Sequence, residues 1–243
     1  MDIRKEIITK YFTNINLNKE YLDLYHARSS IFKFLKKNIA MMHGKVIDVG
    51  CGIMPYKEMV EESSLIDSYL GIDFESSLAS EYELGKPHLF WDGISLPLDS
   101  CTVDTAIATE LLEHCPNPNE VLCEIQRVLK SGGIFIFTVP FLWNLHLVPH
   151  DEYRYTPFSL KRHLQNAGFI DIELEALGGW DASLAQMIGI WVQNRPLRFK
   201  KFYAYFAKFL IRKLLYKDQY FNKLDIFKDG VMITGICGVA RKS

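Results

Sequence analysis

The sequence lacks the features that mark secreted, disulfide-built or membrane-spanning proteins. Its 243 residues include five cysteines, an odd number, widely spaced and without a C-x-x-C pair, which argues against a disulfide framework or a zinc ribbon. No apolar run approaches the roughly 20 residues of a spanning helix. The first residues mix charges of both signs and do not resemble a signal peptide. We therefore predict a cytoplasmic protein.

A charge excess is also missing. Lys and Arg number 28 against 29 Asp and Glu, for a formal net charge of −1. This balance argues against bulk nucleic-acid binding, and we predict no nucleic-acid partner. The hydrophobic share of 49% is enough to build a large core without disulfides or a metal.

Short apolar runs that end at glycine or an acidic residue alternate with segments of helical periodicity. This order predicts an α/β fold, a parallel sheet with helices on both faces, in which ligands bind at the carboxyl ends of the strands. The clearest helix is predicted over 119–129, with the pair Gly132-Gly133 as its stop. The predicted strands are 45–50, 68–74, 88–92, 102–110, 133–141, 170–177 and 231–242.

The end of the first predicted strand carries a cofactor signal. Gly50 and Gly52 permit a tight turn close to a ligand, and Asp73 ends the next strand, where a carboxylate can accept hydrogen bonds from ribose hydroxyls. NAD and S-adenosylmethionine fit these residues equally. A third glycine would favour a dinucleotide, but Pro55 stands there and donates no N–H to a pyrophosphate. S-adenosylmethionine is favoured, and an NAD-dependent oxidoreductase remains a disfavoured rival.

Five blocks in order, "VIDVGCGIMPY", "YLGIDF", "WDGISLPLDSCTVDTAIATELLEH", "EIQRVLKSGGIFIFTVP" and the histidine-rich stretch that follows, resemble class I S-adenosylmethionine-dependent methyltransferases. The similarity is to the branch often found beside cell-surface polysaccharide genes, and covers about residues 44–170. It implies a Rossmann-like sheet of seven strands, the last antiparallel, with a C-terminal helical insertion.

The resemblance also implies roles for individual residues. Asp48, Gly50 and Gly52 would line the methionyl part of the cofactor, and Asp73 would bind its ribose. Each carboxylate has a structural alternative: loop hydrogen bonding for Asp48, a helix N-cap for Asp73 and a turn for Asp92. The adenine would meet Asp92 and the backbone of Gly93 and Ile94, and the pocket would be closed by Thr109 and Glu110.

The stretch "HLVPHDEYRYTP" (146–157) follows the fifth predicted strand. His146 and His150 are candidate bases for methyl transfer to a hydroxyl, and Arg154 either pairs with Asp151 or holds an acceptor anion. Alternatively the stretch is a loop network with Thr156 as the N-cap of the next helix. Metal binding by His146, His150 and Asp151 is a third alternative, but no separate ligand cluster is evident and no metal site is predicted.

Residues 195–217 contain eight Lys or Arg and no acidic residue, with aromatic residues at helical spacing. They predict either a lid whose aromatics pack on the sheet or a partner subunit, or a peripheral membrane contact. The apolar residues at helical spacing, which we call the aromatic stripe, are Phe199, Phe202, Tyr203, Phe206, Phe209 and Leu210. The basic residues on the opposite face of the predicted helix are Lys201, Lys208 and Arg212.

The predicted organisation has four parts: an N-terminal helical segment (1–43), the cofactor-binding core (44–180), a basic-aromatic insertion or lid (181–223) and a final strand segment (224–243). The predicted activity is O-methylation, or else N-methylation, of a small or saccharide-type acceptor. The alternative is a non-catalytic adenosyl-ligand module for assembly or membrane docking. A homodimer is one predicted arrangement.

Overall fold

A computed structural model describes residues 3–74, 85–196, 198–218 and 227–243. Its strands form one seven-stranded sheet of order β3-β2-β1-β4-β5-β7-β6. The strands β1 to β5 run parallel, and β7 lies antiparallel between β5 and β6. This confirms the predicted fold class. The strands are β1 (Gly44–Val49), β2 (Ile66–Phe74), β3 (Leu89–Trp91), β4 (Val103–Thr109), β5 (Leu129–Pro140), β6 (Phe169–Ala176) and β7 (Gly235–Lys242).

Helices cover both faces of the sheet, as continuous apolar strands require. On one face, Ile31 and Leu35 of α2 and Val60 of α3 join the core. On the other, Leu122 of α4 and Leu160 of α5 do so. The helices among the described residues are α1 (Ile3–Ile8), α2 (Leu24–Asn38), α3 (Lys57–Glu61), α4 (Pro118–Val128), α5 (Pro157–Asn166), α6 (Trp180–Asn194) and α7 (Lys200–Asp218).

The predicted helix stop at Gly132-Gly133 is wrong. Helix α4 ends at Val128, and β5 begins at the next residue and runs through both glycines. Gly132 has φ +76°, and a Cβ at Gly133 would lie 2.8 Å from the Lys130 carbonyl oxygen. The glycines therefore permit an irregular strand start, where the β4–β5 register shifts.

The segment 181–223 contains most of α6 and all of α7, and these two helices pack against each other. Residues 197 and 219–223 of this segment lie outside the described residues, as do residues 224–226 of the final predicted segment. Small and aliphatic side chains of α7, Ala204, Ala207, Ile211 and Leu214, are the buried ones. Among the described residues, no helix is both long and apolar enough to cross a bilayer.

The exposed aromatic stripe of α7 corrects one interpretation of that segment. Phe202 and Phe206 are 60% and 57% exposed, and Phe199 and Phe209 are similarly open, so these rings do not pack on the sheet. Ala204 and Ala207 have small side chains that allow α6 to approach closely. Because these residues form the contact, the bulkier aromatic side chains of α7 face outward.

Gly189 of α6 makes the closest approach in this region. A Cβ there would overlap the Leu22 carbonyl group, reaching within 2.7 Å of its carbon. We expect Gly189→Ala to lower the free energy of unfolding by about 1–3 kcal/mol through overpacking. This is expected even though alanine in a helix normally stabilises by up to about 1 kcal/mol. Urea denaturation followed by circular dichroism measures the change.

Met187→Ala on the same helix is the control. Met187 is 47% exposed, and its truncation is expected to change stability by no more than about 0.5 kcal/mol. A Gly189→Ala protein as stable as the parent would contradict the close contact between α6 and the Leu22 backbone.

Candidate functional site

The predicted site residues lie along one edge of the sheet. Asp48, Asp73 and Thr109 stand at or next to the carboxyl ends of β1, β2 and β4, Asp92 follows β3, and His146 lies beyond β5. Because these five strands are parallel neighbours, their carboxyl ends share one rim. We call this edge the rim.

At the centre of the rim, β1 and β2 are joined by a hydrogen bond across the loop after β1. The Gly52 N–H donates to Asp73 Oδ2 over 2.6 Å, and the Gly50 N–H donates to the Ile72 carbonyl over 2.8 Å. Asp73 also accepts from the Phe74 N–H at 2.7 Å. Of the two glycines that the sequence predicts to act with Asp73, Gly52 therefore contacts its carboxylate and Gly50 contacts the residue before it.

The two glycines are needed for different reasons. Gly50 has φ +74°, and a Cβ there would lie 2.7 Å from Leu111 Cδ1. Gly52 has φ +50°, but a Cβ there would meet none of the described residues within 4 Å. The first glycine is required by packing, and the second leaves open space beside the backbone, the property expected where a ligand approaches.

Asp48 is a buried carboxylate with an unused oxygen. The Tyr69 hydroxyl donates to its Oδ2, while Oδ1 is buried and has no hydrogen-bond partner among the described residues. Burial raises the pKa of Asp48 to about 7. The contact with Tyr69 replaces the predicted alternative of loop hydrogen bonding. An unsatisfied oxygen here fits the positively charged amino group of a methionyl cofactor.

Asp92 forms a turn. Its Oδ1 accepts from the N–H groups of Ile94 and Ser95 at 2.8 and 2.9 Å, and these bonds from Ser95 and Ile94 lower the pKa of Asp92. Gly93 has φ +83°, and a Cβ there would lie 2.7 Å from the Phe74 ring. The structure thus gives Asp92 the turn-forming role that the sequence left as an alternative, and adenine contact stays a prediction.

Thr109 and Glu110 end β4 beside β5. The Thr138 hydroxyl donates to Glu110 Oε1 over 2.8 Å, and the Glu110 N–H donates to the Thr138 carbonyl over 3.0 Å. Glu110 has φ +52°, an unusual conformation for a residue other than glycine. Burial raises its pKa. The carboxylate is thereby fixed at the rim, next to a cavity.

That cavity, of about 20 Å³, lies between the rim, α2 and α6. Glu110, Pro140, Gln186 and Thr234 help to line it. The Gln186 side-chain N–H donates to the Leu142 carbonyl over 2.6 Å, while its Oε1 is buried without a described partner. The cavity thus has room for about one water molecule, and one of its lining residues, Gln186, carries an unused hydrogen-bond acceptor.

In the stretch after β5, Arg154 is paired with Asp151. Its guanidinium donates to both carboxylate oxygens over 2.6 and 2.9 Å and also contacts two backbone carbonyls. This pairing lowers the pKa of Asp151 to about 2. Of the two roles predicted for Arg154, the geometry favours the brace. Thr156 caps α5, with Pro157 at its first turn, as the loop-network alternative predicts.

The two candidate bases differ in setting. The His146 ring packs edge-on against His114, with centroids 4.7 Å apart, and its pKa is lowered by burial and by His114. His150 is exposed, and its carbonyl oxygen lies 2.6 Å from His114 Nδ1. Only His146 is enclosed, and both roles as base stay predictions.

Sequence reasoning missed Glu113 as a member of this site, and for His114 it left a functional role and a structural role within the loop equally open. Glu113 is fully buried, and the Glu152 and Tyr153 N–H groups donate to its carbonyl over 2.8 and 3.2 Å. The signal in the sequence was an acidic residue and a histidine just beyond β4. It gave no partner, because the contacting segment lies more than thirty positions away in the chain.

Comparison of the sequence with a family model and with known proteins shows its relatives. Residues 47–137 match the family described as "Methyltransferase domain". An uncharacterized chloroplastic methyltransferase of Arabidopsis thaliana is 31% identical over 127 residues, covering 43% of this chain and 36% of that protein. A ubiquinone biosynthesis O-methyltransferase of Azoarcus sp. is 28% identical over 165 residues, covering 56% and 66%.

Among solved structures, phosphoethanolamine N-methyltransferase 2 of Haemonchus contortus in complex with S-adenosyl-L-methionine shares the fold. Its TM-score is 0.53 at 16% identity, covering 98% of this chain and 60% of that one. A likeness at this identity concerns the fold. The chain spans about half or less of the length of several curated relatives, 51%, 36% and 29%.

The family of residues 47–137 uses S-adenosyl-L-methionine, which confirms the cofactor predicted from the sequence. The match begins within β1, includes the loop after β1 and strands β2 to β4, and ends within β5. Residues 47–137 therefore resemble a methyltransferase domain, and the chain has the seven-stranded class I methyltransferase fold.

Proposed function

We propose that this protein is an S-adenosyl-L-methionine-dependent methyltransferase that methylates a hydroxyl of a small or saccharide-type acceptor. The observation that carries the proposal is the contact of Gly52 with Asp73 beside open space and the unsatisfied Asp48 oxygen. The likeness to a ubiquinone biosynthesis O-methyltransferase supports oxygen as the acceptor atom. The saccharide class follows from the sequence resemblance alone.

Each residue at the centre of the rim has a part in holding the cofactor. Asp48 Oδ1 would pair with the amino group, the Gly50–Gly52 backbone would pass beside the methionyl chain, and the Asp73 carboxylate would accept from ribose hydroxyls. S-adenosyl-L-methionine supplies a methyl group already activated on a sulfonium. The protein has mainly to align the acceptor and exclude water.

Removal of the acceptor's proton would be the task of a histidine. His146 is half-enclosed and has a lowered pKa, so its imidazole is neutral, and able to accept a proton, at neutral pH. His150 is the second candidate, more accessible to a large acceptor. The Asp151–Arg154 pair would act as a brace that positions the stretch, and Gln186 Oε1 offers an acceptor for a substrate hydroxyl.

The cofactor assignment predicts a specific loss on changing Asp73. Asp73→Ala is expected to weaken S-adenosylhomocysteine binding by about 1.5–3 kcal/mol, the value of hydrogen bonds to a charged group. Calorimetric titration measures the affinity. Asp67→Ala is the matched control, since Asp67 is exposed at the opposite end of the same strand, and it should bind as the parent does.

Two results would contradict the assignment. One is equal affinity in the Asp73→Ala and Asp67→Ala proteins. The other is tighter binding of NAD than of either adenosyl ligand, which would support the oxidoreductase rival.

The catalytic assignment predicts that one histidine change slows methyl transfer without loss of cofactor binding. Methyl-labelled cofactor and cell-envelope extract would first identify the fraction that takes up the label. Replacing the operative histidine, His146 or His150, by Ala should then lower turnover by roughly 10²-fold or more. Cofactor affinity should stay within a few-fold of the parent.

His163→Ala serves as the control, because His163 lies on α5 and bonds Asn119 at 2.7 Å. Full activity in both His146→Ala and His150→Ala proteins would favour the loop-network interpretation. Binding of cofactor with no labelled fraction in any extract would favour the non-catalytic adenosyl-ligand module.

A second function, docking to an anionic membrane surface, is favoured by the exposed stripe on α7. The Phe202 and Phe206 rings form a tilted pair with centroids 4.7 Å apart, and Tyr203 meets Phe202 at 6.0 Å and Trp191 of α6 edge-on at 5.7 Å. The exposed rings therefore form one cluster across both helices. Aromatic clusters with an apolar body and polar edge suit a membrane interface.

Charge supports an anionic partner for that surface. Residues 195–217 hold eight basic residues and no acidic one, although residue 197 lies outside the described part. Lys213 lies over the Phe209 ring at 4.6 Å, and Arg198 over Phe199 at 5.5 Å. Basic groups beside apolar rings match lipid headgroups above acyl chains. We therefore propose a peripheral contact through this segment.

Docking predicts vesicle binding that needs anionic lipid and falls at high salt. Each basic residue near the surface contributes about 1 kcal/mol, and this attraction is screened by salt. Changing Lys201, Lys208 and Arg212 together to Glu should abolish co-sedimentation. Changing Phe202 and Phe206 to Ala should weaken it without lowering thermal stability, because both rings are exposed.

The control changes three basic residues elsewhere, Lys33, Lys36 and Lys161, to Glu, and should sediment as the parent does. Sedimentation that is absent at low salt would overturn the docking proposal. Loss of dimers on changing Phe202 and Phe206 would instead assign the surface to a homodimer.

A further inference from the structure

Glu113 is a fully buried carboxylate without hydrogen bonds. Its exposure is 0%, and neither Oε1 nor Oε2 has a hydrogen-bond partner among the described residues. Buried carboxylates are otherwise nearly always bonded, and each exception calls for an explanation such as an ion. Burial, and then the neighbouring Glu110, raise the pKa of Glu113. A cation beside it would remove the cost of the charged form.

His114 lies next to this carboxylate in an orientation suited to a ligand. Its Nδ1 lies 2.6 Å from the His150 carbonyl oxygen, so the proton is on Nδ1 and the lone pair on Nε2. That Nε2 is 3.7 Å from Glu113 Oε1. The backbone carbonyl thus selects the tautomer that metal-binding histidines use.

His146 completes the group from the other segment. Its Nδ1 is buried without a hydrogen bond, and Asp151 Oδ2 lies 3.3 Å away, poorly aligned to accept. One ligand atom from each of Glu113, His114 and His146 lies within 4.8 Å of the others. Three buried polar atoms of this group, two on Glu113 and one on His146, have no hydrogen-bond partner among the described residues.

We propose that Glu113, His114 and His146 bind one divalent transition-metal ion, with Zn²⁺ as the best-fitting ion. Two imidazoles and one carboxylate are a donor set that Zn²⁺ prefers, and they leave a fourth position open. Around a tetrahedral zinc, donor atoms stand about 3.3 Å apart. The separation of Glu113 Oε1 and His114 Nε2 is 3.7 Å, and all three ligand atoms lie within 4.8 Å of one another, so binding requires a contraction of at most about 1.5 Å in any pair.

Hydrogen bonds hold the turn after β4 and the stretch after β5 together. The short 3₁₀ turn Leu112–His114 receives N–H bonds from Glu152 and Tyr153, and the Tyr155 hydroxyl donates to the Leu112 carbonyl over 2.8 Å. The Asp151–Arg154 pair fixes the carboxylate beside His146. A site supported in this way from both sides has little left to order on binding.

The earlier metal alternative of His146, His150 and Asp151 differs in two of its three members. His150 contributes its backbone carbonyl, and Asp151 is paired with Arg154. The spacing within 146–157 could not reveal the donors that arrive from the turn after β4.

The inference does not rest on the proposed function, because metal binding is measured without cofactor or acceptor. An ion on His146 would occupy the lone pair of its imidazole, so the role of base would then fall to His150. A protein without an affinity tag, carrying Cys101→Ser and Cys123→Ser to remove its exposed thiols, is stripped with a chelator. Calorimetry with Zn²⁺ should give one ion per chain. Co²⁺ should give the visible absorption of a tetrahedral site without a sulfur-to-metal band.

Glu113→Gln keeps the shape of the side chain and removes its charge. It is expected to weaken Zn²⁺ binding at least tenfold, as are His114→Ala and His146→Ala. Zn²⁺ should raise the thermal midpoint of the parent but not of Glu113→Gln. His43→Ala, an exposed histidine on the far side of β1, should bind Zn²⁺ as the parent does.

The proposal is overturned if the stripped, folded protein binds no Zn²⁺ or Co²⁺. It is also overturned if Glu113→Gln, with an unchanged circular dichroism spectrum, retains the parent's affinity and Co²⁺ spectrum. Either result would assign Glu113 to the fold as a neutral carboxylic acid. Failure of methyl transfer with intact Zn²⁺ binding would count against the proposed function alone.

Discussion

Parallel pairing of β1 with β2 on one side and β4 on the other is the constraint on which the site depends. Asp48 lies opposite Gly71 and Ile107, so the loop after β1 stands between the ends of its two neighbours. The Gly52 N–H can then reach Asp73 at 2.6 Å, a contact across twenty-one positions of sequence. Any shift of register would separate them, because the strand ends would no longer coincide.

The same edge carries three carboxyl groups that are largely removed from water. Asp48, Glu110 and Glu113 are all carboxylates whose pKa is raised by burial. Taking such groups out of water costs free energy that hydrogen bonds or cations must offset. Asp48 has the Tyr69 hydroxyl and Glu110 the Thr138 hydroxyl, whereas Glu113 has neither. The rim is therefore built to receive positive charge.

Sequence periodicity was enough to predict the sheet, because its strands are continuous apolar runs ended by glycine or an acidic residue. It was also enough to predict that Gly50, Gly52 and Asp73 act together. It was insufficient at Gly132-Gly133, where glycine has two uses: ending a helix, or permitting an irregular strand. The pairing of β5 with β4 and β7 decides between these two uses of glycine, and this pairing is a tertiary contact.

The aromatic stripe of α7 shows a second limit of the same kind. Periodicity places Phe202 and Phe206 on one face but does not say whether that face turns inward. The buried face is set by Ala204 and Ala207, whose small side chains let α6 approach, and sequence patterns undervalue alanine as a core residue.

Glu113 was missed and His114 was left open for a related reason, since their partner His146 comes from another strand end. Donors separated by thirty-two positions form a set only because β4 and β5 are adjacent and parallel. The pairing that brings β1 and β2 together for the cofactor thus also brings the loops after β4 and β5 together. Strand order, which no local motif encodes, decides which polar residues can act as one group.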